Sequence, residues 1–210
     1  MSKLCMKKLV LSICATNCYI LYNSDSMEGI IIDPADDSDT IDASVKSLGV
    51  NIKAIFLTHG HFDHIGAADE LKRMYQVKVY AHQDEADVTE NGMLNLSAMF
   101  EDGNSVKVDE KLHDGDTLEM CGFSIKLIHT PGHTKGSCCY LINDGEKDRL
   151  FSGDTLFCGS HGRTDFPTGS GRQIIESIVD KLLVLDDNLE VYSGHGEQTF
   201  IGDEKKWYRR

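Results

Sequence analysis

The sequence is poor in positive charge and has no long apolar segment. Its 210 residues include 21 lysines and arginines against 34 aspartates and glutamates, a formal net charge of −13. Because nucleic-acid binding depends on clustered basic side chains, this balance argues against an RNA or DNA partner. No apolar run approaches the roughly 20 residues that cross a bilayer, which argues against a membrane partner as well.

Cysteine pairing and proline-rich linkers are also missing. Seven cysteines are an odd number and none form a CxxC pair, so the sequence predicts no disulfide framework and we expect reduced thiols in the cytoplasm. A basic start followed by the short apolar run 9–15 resembles a signal peptide. A second apolar run follows directly, however, and a first β-hairpin explains both runs. With three prolines and no low-complexity segment, residues 1–210 are expected to form one domain.

Strand and helix patterns occur in two regions of the sequence, each a batch of several elements, at about residues 1–81 and 117–195. The first batch predicts strands at 8–13, 18–22, 29–33, 54–57 and 77–81, with helices at 38–48 and 65–75. The second predicts strands at 117–120, 123–128, 137–142, 149–152 and 190–192, with a helical apolar stripe over 171–185. Residues 83–105 are ambiguous and hold at most one or two short helices. Together the batches predict an α/β fold of two similar halves, packed sheet against sheet with helices outside.

Side chains that can bind metal are concentrated in the segment 58–64. Three histidines and one aspartate fall within six residues: His59, His61, Asp63 and His64. Unpaired polar groups are costly to bury, and clustered imidazoles repel one another when protonated. A divalent cation removes both penalties, and imidazole and carboxylate are ligands that Zn²⁺ favours. The segment therefore predicts a metal site.

Three further candidate ligands follow the ends of apolar runs. His133, Asp154 and His195 each come after a predicted strand, and each is preceded by a glycine that permits a tight turn. Five histidines and two aspartates are too many for one tetrahedral ion and suit two ions that share a carboxylate. No cysteine is among these ligands, which favours metals bound by nitrogen and oxygen. We therefore expect the two divalent ions to be zinc, with iron or manganese as alternatives. Three ligands per ion and a shared carboxylate leave a coordination position for water, which is typical of catalytic rather than structural metal sites.

These segments together resemble the metallo-β-lactamase superfamily. The matching motifs are His59-x-His61-x-Asp63-His64, Pro131-Gly132-His133-Thr134, Gly153-Asp154-Thr155 and Gly194-His195-Gly196. Within the superfamily, the chain is similar to the glyoxalase II-like branch of hydroxyacylglutathione hydrolases from about residue 9 to 200. The resemblance implies an αββα four-layer sandwich with a dinuclear metal site at one edge of the two sheets.

The resemblance also implies a role for each ligand. The first metal would be held by His59, His61 and His133, and the second by Asp63, His64 and His195. Asp154 would bridge the two ions, and Asp63 and Asp154 are the candidate catalytic carboxylates. This arrangement implies a hydrolase, with thioesters of the hydroxyacylglutathione type as substrates and metal-activated water as the nucleophile.

The sequence departs from glyoxalase II in two places. It stops 15 residues after His195, so we expect a single-domain protein without the helical segment that contacts glutathione in that family. The loop 160–166 also differs, and it contains Arg163. A guanidinium suits bidentate contact with a carboxylate, so Arg163 is the candidate for binding an anionic thioester. The alternative is that Arg163 pairs with Asp165 and only shapes the loop.

Two other functions stay open. Persulfide dioxygenases share this fold and a loop like 162–166, and bind one iron through residues like His59, His133 and Asp154. A non-catalytic module would retain metal without turning over any substrate. A β-lactamase is disfavoured, because those enzymes generally lack a carboxylate at the position of Asp154. The sequence predicts no particular oligomeric state.

Overall fold

The computed structural model describes residues 4–99, 103 and 105–208, and these contain two six-stranded sheets. The first sheet consists of neighbouring strands β1 (Leu4–Leu11), β2 (Thr16–Asn23), β3 (Glu28–Ile32), β4 (Asn51–Phe56), β5 (Lys78–His82) and β6 (Glu110–Leu112). The second consists, also side by side, of β7 (Thr117–Met120), β8 (Phe123–His129), β9 (Cys138–Asn143), β10 (Asp148–Gly153), β11 (Glu190–Ser193) and β12 (Thr199–Phe200).

Each sheet mixes antiparallel and parallel pairs. Strands β1 to β3 are antiparallel neighbours, and β3 to β6 run parallel. In the second sheet only β10 and β11 are parallel. Parallel neighbours end at the same edge of a sheet, so the loops that follow them lie side by side.

The helices are short and lie mostly on the outer faces of the sheets. They are α1 (Ser38–Leu48), α2 (Phe62–Ile65), α3 (Ala68–Tyr75), α4 (Ala86–Glu90), α5 (Gly171–Ser177) and α6 (Ile201–Glu204). Helix α5 continues as a π-helical turn, Ile178–Leu182, and single 3₁₀ turns occur at Gln83–Glu85 and Ser97–Met99. In the described part of the chain, no helix is both long enough and apolar enough to cross a membrane.

Three apolar clusters define the layers. Phe56 of the first sheet and Tyr140 and Phe151 of the second are fully buried between the sheets. Helices α1 and α3 pack Ile41 and Leu71 on the outer face of the first sheet. The α5 segment covers the second sheet with apolar side chains such as those at 174 and 178. The expected αββα sandwich is confirmed.

Several predicted boundaries were wrong for local reasons. The helix expected at 65–75 is divided into α2 and α3, because the amides of Gly66 and Ala67 donate to the carbonyls of Ala35 and Pro34. Strand β1 ends at Leu11 rather than residue 13, and the hairpin turn that follows includes the exposed Ile13. Strands β6 and β12 are three and two residues long, too short to show an alternating pattern.

Candidate metal centre

The seven predicted ligands converge at one edge of the two sheets. Each ligand follows a strand or lies on helix α2. The loop after β4 carries His59 and His61, and the loops after β8, β10 and β11 carry His133, Asp154 and His195. Helix α2 carries Asp63 and His64. Four of the five histidines are buried, and His195 is partly exposed. The strand ends therefore bring together side chains up to 136 positions apart in the sequence, from 59 to 195.

Two triads can be distinguished within the cluster. In the first, His133 Nε2 lies 2.8 Å from His61 Nδ1 and 3.2 Å from His59 Nε2. In the second, His195 Nε2 lies 3.3 Å from His64 Nε2 and 3.4 Å from Asp63 Oδ2. Within each triad, one ligand atom per residue lies within 4.8 Å of the other two. These are the two ligand sets that the resemblance implies.

Asp154 lies between the triads. Its Oδ1 is 3.3 Å from His64 Nε2, and its Oδ2 is 3.5 Å from both His133 Nε2 and His195 Nε2. Two glycines make this placement possible. Gly153 has a φ of +48°, and a Cβ there would lie 2.2 Å from Thr58 Oγ1. A Cβ on Gly194 would lie 2.3 Å from Asp154 Oδ1, so both strand ends need glycine to approach this closely.

Hydrogen bonds at the outer ring nitrogens set the tautomers. His133 Nδ1 lies 2.7 Å from the carbonyl oxygen of Arg163, and His195 Nδ1 lies 3.1 Å from that of Cys14. His64 Nδ1 is 3.0 Å from Asp33 Oδ2. Since these oxygens only accept, each Nδ1 donates, and the Nε2 atoms face the cluster. Asp33 also accepts from the amide of Thr58 (2.8 Å) and its hydroxyl (2.6 Å), which fixes the start of the ligand segment.

The two triads differ in their electrostatics. Burial lowers the pKa of His61 to about 3 and that of His59 well below its usual value. Burial alone would also lower the pKa of His195, but contacts with Asp154 and Asp63 raise it to about 9. Burial alone would raise the pKa of Asp63, but contacts with His64 and His195 outweigh burial and lower this pKa to about 2. The first triad is therefore neutral, and the second contains one charged carboxylate, that of Asp63.

The described residues fit bound cations. His133 and His59 donate through Nδ1, His59 toward Thr58 Oγ1 at 3.3 Å, so their Nε2 lone pairs face each other at 3.2 Å. Asp154 Oδ1 is buried and makes no hydrogen bond of normal geometry to the described residues, although His64 Nε2 lies 3.3 Å away. Facing lone pairs and an unpaired carboxylate oxygen both call for positive charge. Nitrogen and oxygen donors without thiolate suit zinc, iron or manganese.

Sequence reasoning missed Glu85, which links two ligand loops. Its Oε1 accepts from the amide of Gly60 at 2.7 Å, and its Oε2 accepts from the hydroxyl of Thr134 at 2.8 Å. The amide of Gly136 is a further donor to this carboxylate. The side chain is fully buried, and burial raises its pKa to about 7. Glu85 lies in the segment that the sequence left ambiguous, and no local pattern marks it.

A cavity of about 400 Å³ opens over the cluster. Ligands form its floor, and the other lining residues are Cys14, Phe62, Leu96, Met99, Phe157, Gly162, Arg163 and Phe166. The guanidinium of Arg163 makes two 2.7 Å hydrogen bonds to Asp165 and lies 3.8 Å above the ring of Phe166. The candidate substrate residue is therefore at the cavity but paired with an acid.

Comparison with known proteins decides the family. The sequence profile of the metallo-beta-lactamase superfamily matches residues 11–195. The chain belongs to this superfamily. It is 35% identical to the hydroxyacylglutathione hydrolase GloC of Haemophilus influenzae over 196 residues, which cover 90% of each protein.

Solved structures of this superfamily have the same fold. The crystal structure of the BLEG-1 B3 metallo-beta-lactamase is 36% identical, with a TM-score of 0.90 and coverage of 96% of this chain and 97% of that one. ETHE1 from Myxococcus xanthus is 28% identical, with a TM-score of 0.79 and coverage of 98% and 84%. These matches confirm the predicted family and fold, and place the chain in a metal-dependent hydrolase superfamily.

Proposed function

We propose that this protein binds two divalent cations and uses them to hydrolyse thioesters. The observation that carries the proposal is the position of Asp154, within 3.5 Å of histidine nitrogens from both triads. A single ion would use only one triad and would leave the ligand atoms of the other triad without a cation. Similarity to the hydroxyacylglutathione hydrolase GloC supports the thioester as the bond that is cleaved.

Each part of the site has a distinct task in this proposal. His59, His61 and His133 would hold one ion, Asp63, His64 and His195 would hold the other, and Asp154 would contact both. When bound, such ions lower the pKa of water and polarise a carbonyl oxygen. Asp63 Oδ2 accepts from Thr16 Oγ1 at 3.0 Å, which orients this carboxylate toward the cavity floor. Zinc is the metal we favour for these donors, with iron and manganese as alternatives.

Recognition of an anionic group by Arg163 is part of the proposal. The Arg163–Asp165 pair is exposed on both sides, and exposed pairs of this kind are weak enough to exchange partners. A substrate carboxylate would replace Asp165 on the guanidinium. Replacing Arg163 with alanine should raise KM for carboxylate-bearing thioesters far more than for neutral ones, with metal content unchanged. Equal losses on both would assign Arg163 a structural role.

We also propose that the substrate is a small cytoplasmic molecule rather than a nucleic acid or a membrane. The cavity of about 400 Å³ suits a ligand of that size, and the net charge of −13 opposes binding to phosphate backbones. All seven cysteines are free thiols, which is typical of reducing compartments.

Two other activities are favoured by particular similarities and belong in the same experiment. Similarity to BLEG-1 favours β-lactam hydrolysis, and similarity to ETHE1 keeps the persulfide dioxygenase alternative open. Metal-quantified protein should be assayed on lactoylglutathione, simple thioesters and a chromogenic cephalosporin, and for oxygen uptake with glutathione persulfide. We expect thiol release that rises with the second equivalent of metal. Oxygen uptake with one iron per chain, or cephalosporin turnover alone, would contradict the proposal.

A matched pair of histidine variants provides the control. His133→Ala removes a ligand of the first triad, and we expect it to abolish thiol release. His113→Ala removes an exposed histidine outside the cluster, and we expect wild-type turnover.

A further inference from the structure

The cavity wall above the ligands is apolar. Among the described lining residues that are not candidate ligands, Arg163 is the one charged side chain, and it is paired with Asp165. The remaining large side chains are aromatic or aliphatic: Phe62, Leu96, Met99, Phe157 and Phe166. A substrate in this cavity therefore gains most of its binding energy away from the ligands by burying apolar surface.

The aromatic rings flank the two triads. Phe166 packs edge to face against His61, with ring centroids 5.8 Å apart. Phe157 packs in the same manner against His195 at 5.9 Å. A carbonyl group placed over Asp154 would thus have apolar surface on both sides, one side for the acyl group and the other for the thiol.

Leu96, one of the residues that line the cavity, has a strained backbone. Its φ of +69° lies in the left-handed region, which residues with a Cβ rarely adopt. Asparagine or glycine would adopt this conformation at lower cost. The leucine side chain is nevertheless only 4% exposed and lines the cavity. Strain retained at a site of this kind points to a function for the side chain.

The turn around Leu96 is attached to the ligand segment. The carbonyl oxygen of Asn95 accepts from the amide of Phe62 at 2.8 Å, next to Asp63. The side-chain oxygen of Asn95, which is fully buried, accepts from the amide and the hydroxyl of Ser97 at 2.9 and 2.6 Å. These bonds hold Leu96 in place against the cavity, beside the ligand segment 59–64.

We propose that Leu96, together with Phe62 and Met99, forms an apolar subsite for the acyl chain, so that the preferred substrates are thioesters of apolar acids. The inference rests on the proposed thioester hydrolysis and names its substrate class. The backbone carbonyl of Arg163 accepts from His133 Nδ1, and the guanidinium of Arg163 takes the anionic part of the thiol. Leu96, whose neighbour Asn95 is hydrogen-bonded to the ligand segment 59–64, takes the acyl chain.

The test uses variants that fit the unusual backbone at residue 96. Leu96→Asn and Leu96→Gly both suit a positive φ, so the turn is preserved while the apolar surface is removed. Leu96→Met keeps an apolar side chain and serves as the rescue. Met93→Ala is the matched control, since Met93 lies on the same segment and is as exposed as Met99 but, unlike Met99, does not line the cavity.

Two measurements on metal-loaded protein separate the subsite from the chemistry. The first is KM for thioesters of one thiol with acyl chains from acetyl to octanoyl. We expect KM to fall about fourfold per buried methylene in the wild type and in Met93→Ala. Leu96→Asn and Leu96→Gly should lose most of this dependence, with the largest rise in KM for octanoyl, and Leu96→Met should retain it.

The second measurement is calorimetric binding of alkyl hydroxamates of the same chain lengths, which requires no turnover. Affinity that rises with chain length only when residue 96 is apolar supports the subsite, even where no thioester is hydrolysed and the proposed function fails. Affinity that is independent of chain length in the wild type overturns the proposal. An unchanged chain-length dependence in both Leu96→Asn and Leu96→Gly also overturns it.

Discussion

The structure contains two clusters of histidine and aspartate, and their rings are arranged in different ways. In the metal centre, the ring of His59 stands at 90° to that of His61 and at 82° to that of His133. In the second cluster, His82 and His129 are stacked, with centroids 3.7 Å apart and planes 10° apart. Asp84 lies beside this stack, with its Oδ2 3.9 Å from His82 Nδ1.

The difference shows why composition alone does not define a cation site. An imidazole binds metal through a nitrogen lone pair in the plane of the ring, so steeply inclined rings can direct their lone pairs to one point. Stacked rings direct theirs side by side. His129 Nε2 also lies 2.9 Å from the carbonyl of Lys135, and His82 Nδ1 accepts from the amide of Asp84 at 3.3 Å. The rings of the metal centre can therefore share one cation, whereas the stacked rings are not inclined for this.

Removal of the Asp154 carboxylate tests the metal centre and should have the largest effect on metal content and turnover. Two cations about 3.5–4 Å apart repel one another unless an anion lies between them. We expect Asp154→Ala to lower metal content below two ions per chain. Thiol release should fall by more than the roughly 10–100-fold typical of lost outer contacts to a ligand. Elemental analysis and thiol assays measure both quantities.

The stacked cluster provides the control for that experiment. His82→Phe at neutral pH should leave the metal content and the turnover unchanged. Two ions and near wild-type turnover in Asp154→Ala would show that Asp154 is not shared, and metal loss in His82→Phe would remove the distinction between the clusters.

An intermediate effect is expected at Glu85, which connects the loops of the first triad. Glutamine keeps one acceptor oxygen and would present its amide N–H₂ to one of the two donors, the amide of Gly60 or the hydroxyl of Thr134. We expect Glu85→Gln to weaken metal binding about tenfold, as outer contacts to ligands commonly do. Competition with a chelator measures this affinity.

Glu90→Gln is the matched control, because Glu90 is an exposed residue at the end of α4. If Glu85→Gln lowers only the melting temperature and leaves the metal affinity unchanged, Glu85 stabilises the fold without positioning the ligands.

Much of this architecture could be predicted from local patterns. The segment 58–64 places four potential ligands within six residues, so its chemistry is visible without knowledge of the fold. His133, Asp154 and His195 could be predicted because each follows an apolar run and a glycine. Their convergence then follows from the sheet, since β10 and β11 are parallel and end side by side.

The remaining features depend on contacts between distant residues. Glu85 is 25 positions from Gly60 and 49 from Thr134, so no short window of sequence contains both partners. The φ of Leu96 is set by the hydrogen bonds around Asn95, and a leucine gives no sign of a left-handed turn. The His82–His129 stack joins strands of different sheets, which no periodicity in either strand reveals.

The smallest effect on turnover is expected from the stacked pair, whose protonation should change only the stability of the fold. Burial and the neighbouring His129 lower the pKa of His82 to about 4, with His113 acting in the same direction and Asp84 and Asp114 in the opposite one. The usual pKa of histidine is about 6.5. Between these values the unfolded chain binds a proton that the folded chain excludes. The free energy of unfolding therefore falls as the pH decreases from about 6.5 to about 4.

His82→Phe isolates this contribution, because phenylalanine keeps a flat ring against His129 and binds no proton. Urea unfolding of the metal-free protein across this pH range should show a smaller loss of stability in the variant than in the wild type, by about 3 kcal/mol. The histidines of the metal centre titrate equally in both proteins, so the difference between them belongs to residue 82. His113→Ala removes only the smallest contribution to the low pKa of His82, so it should shift the profile in the same direction as His82→Phe but by far less. Parallel profiles for the wild type and His82→Phe would show that the stack accepts a proton as readily as the unfolded chain does.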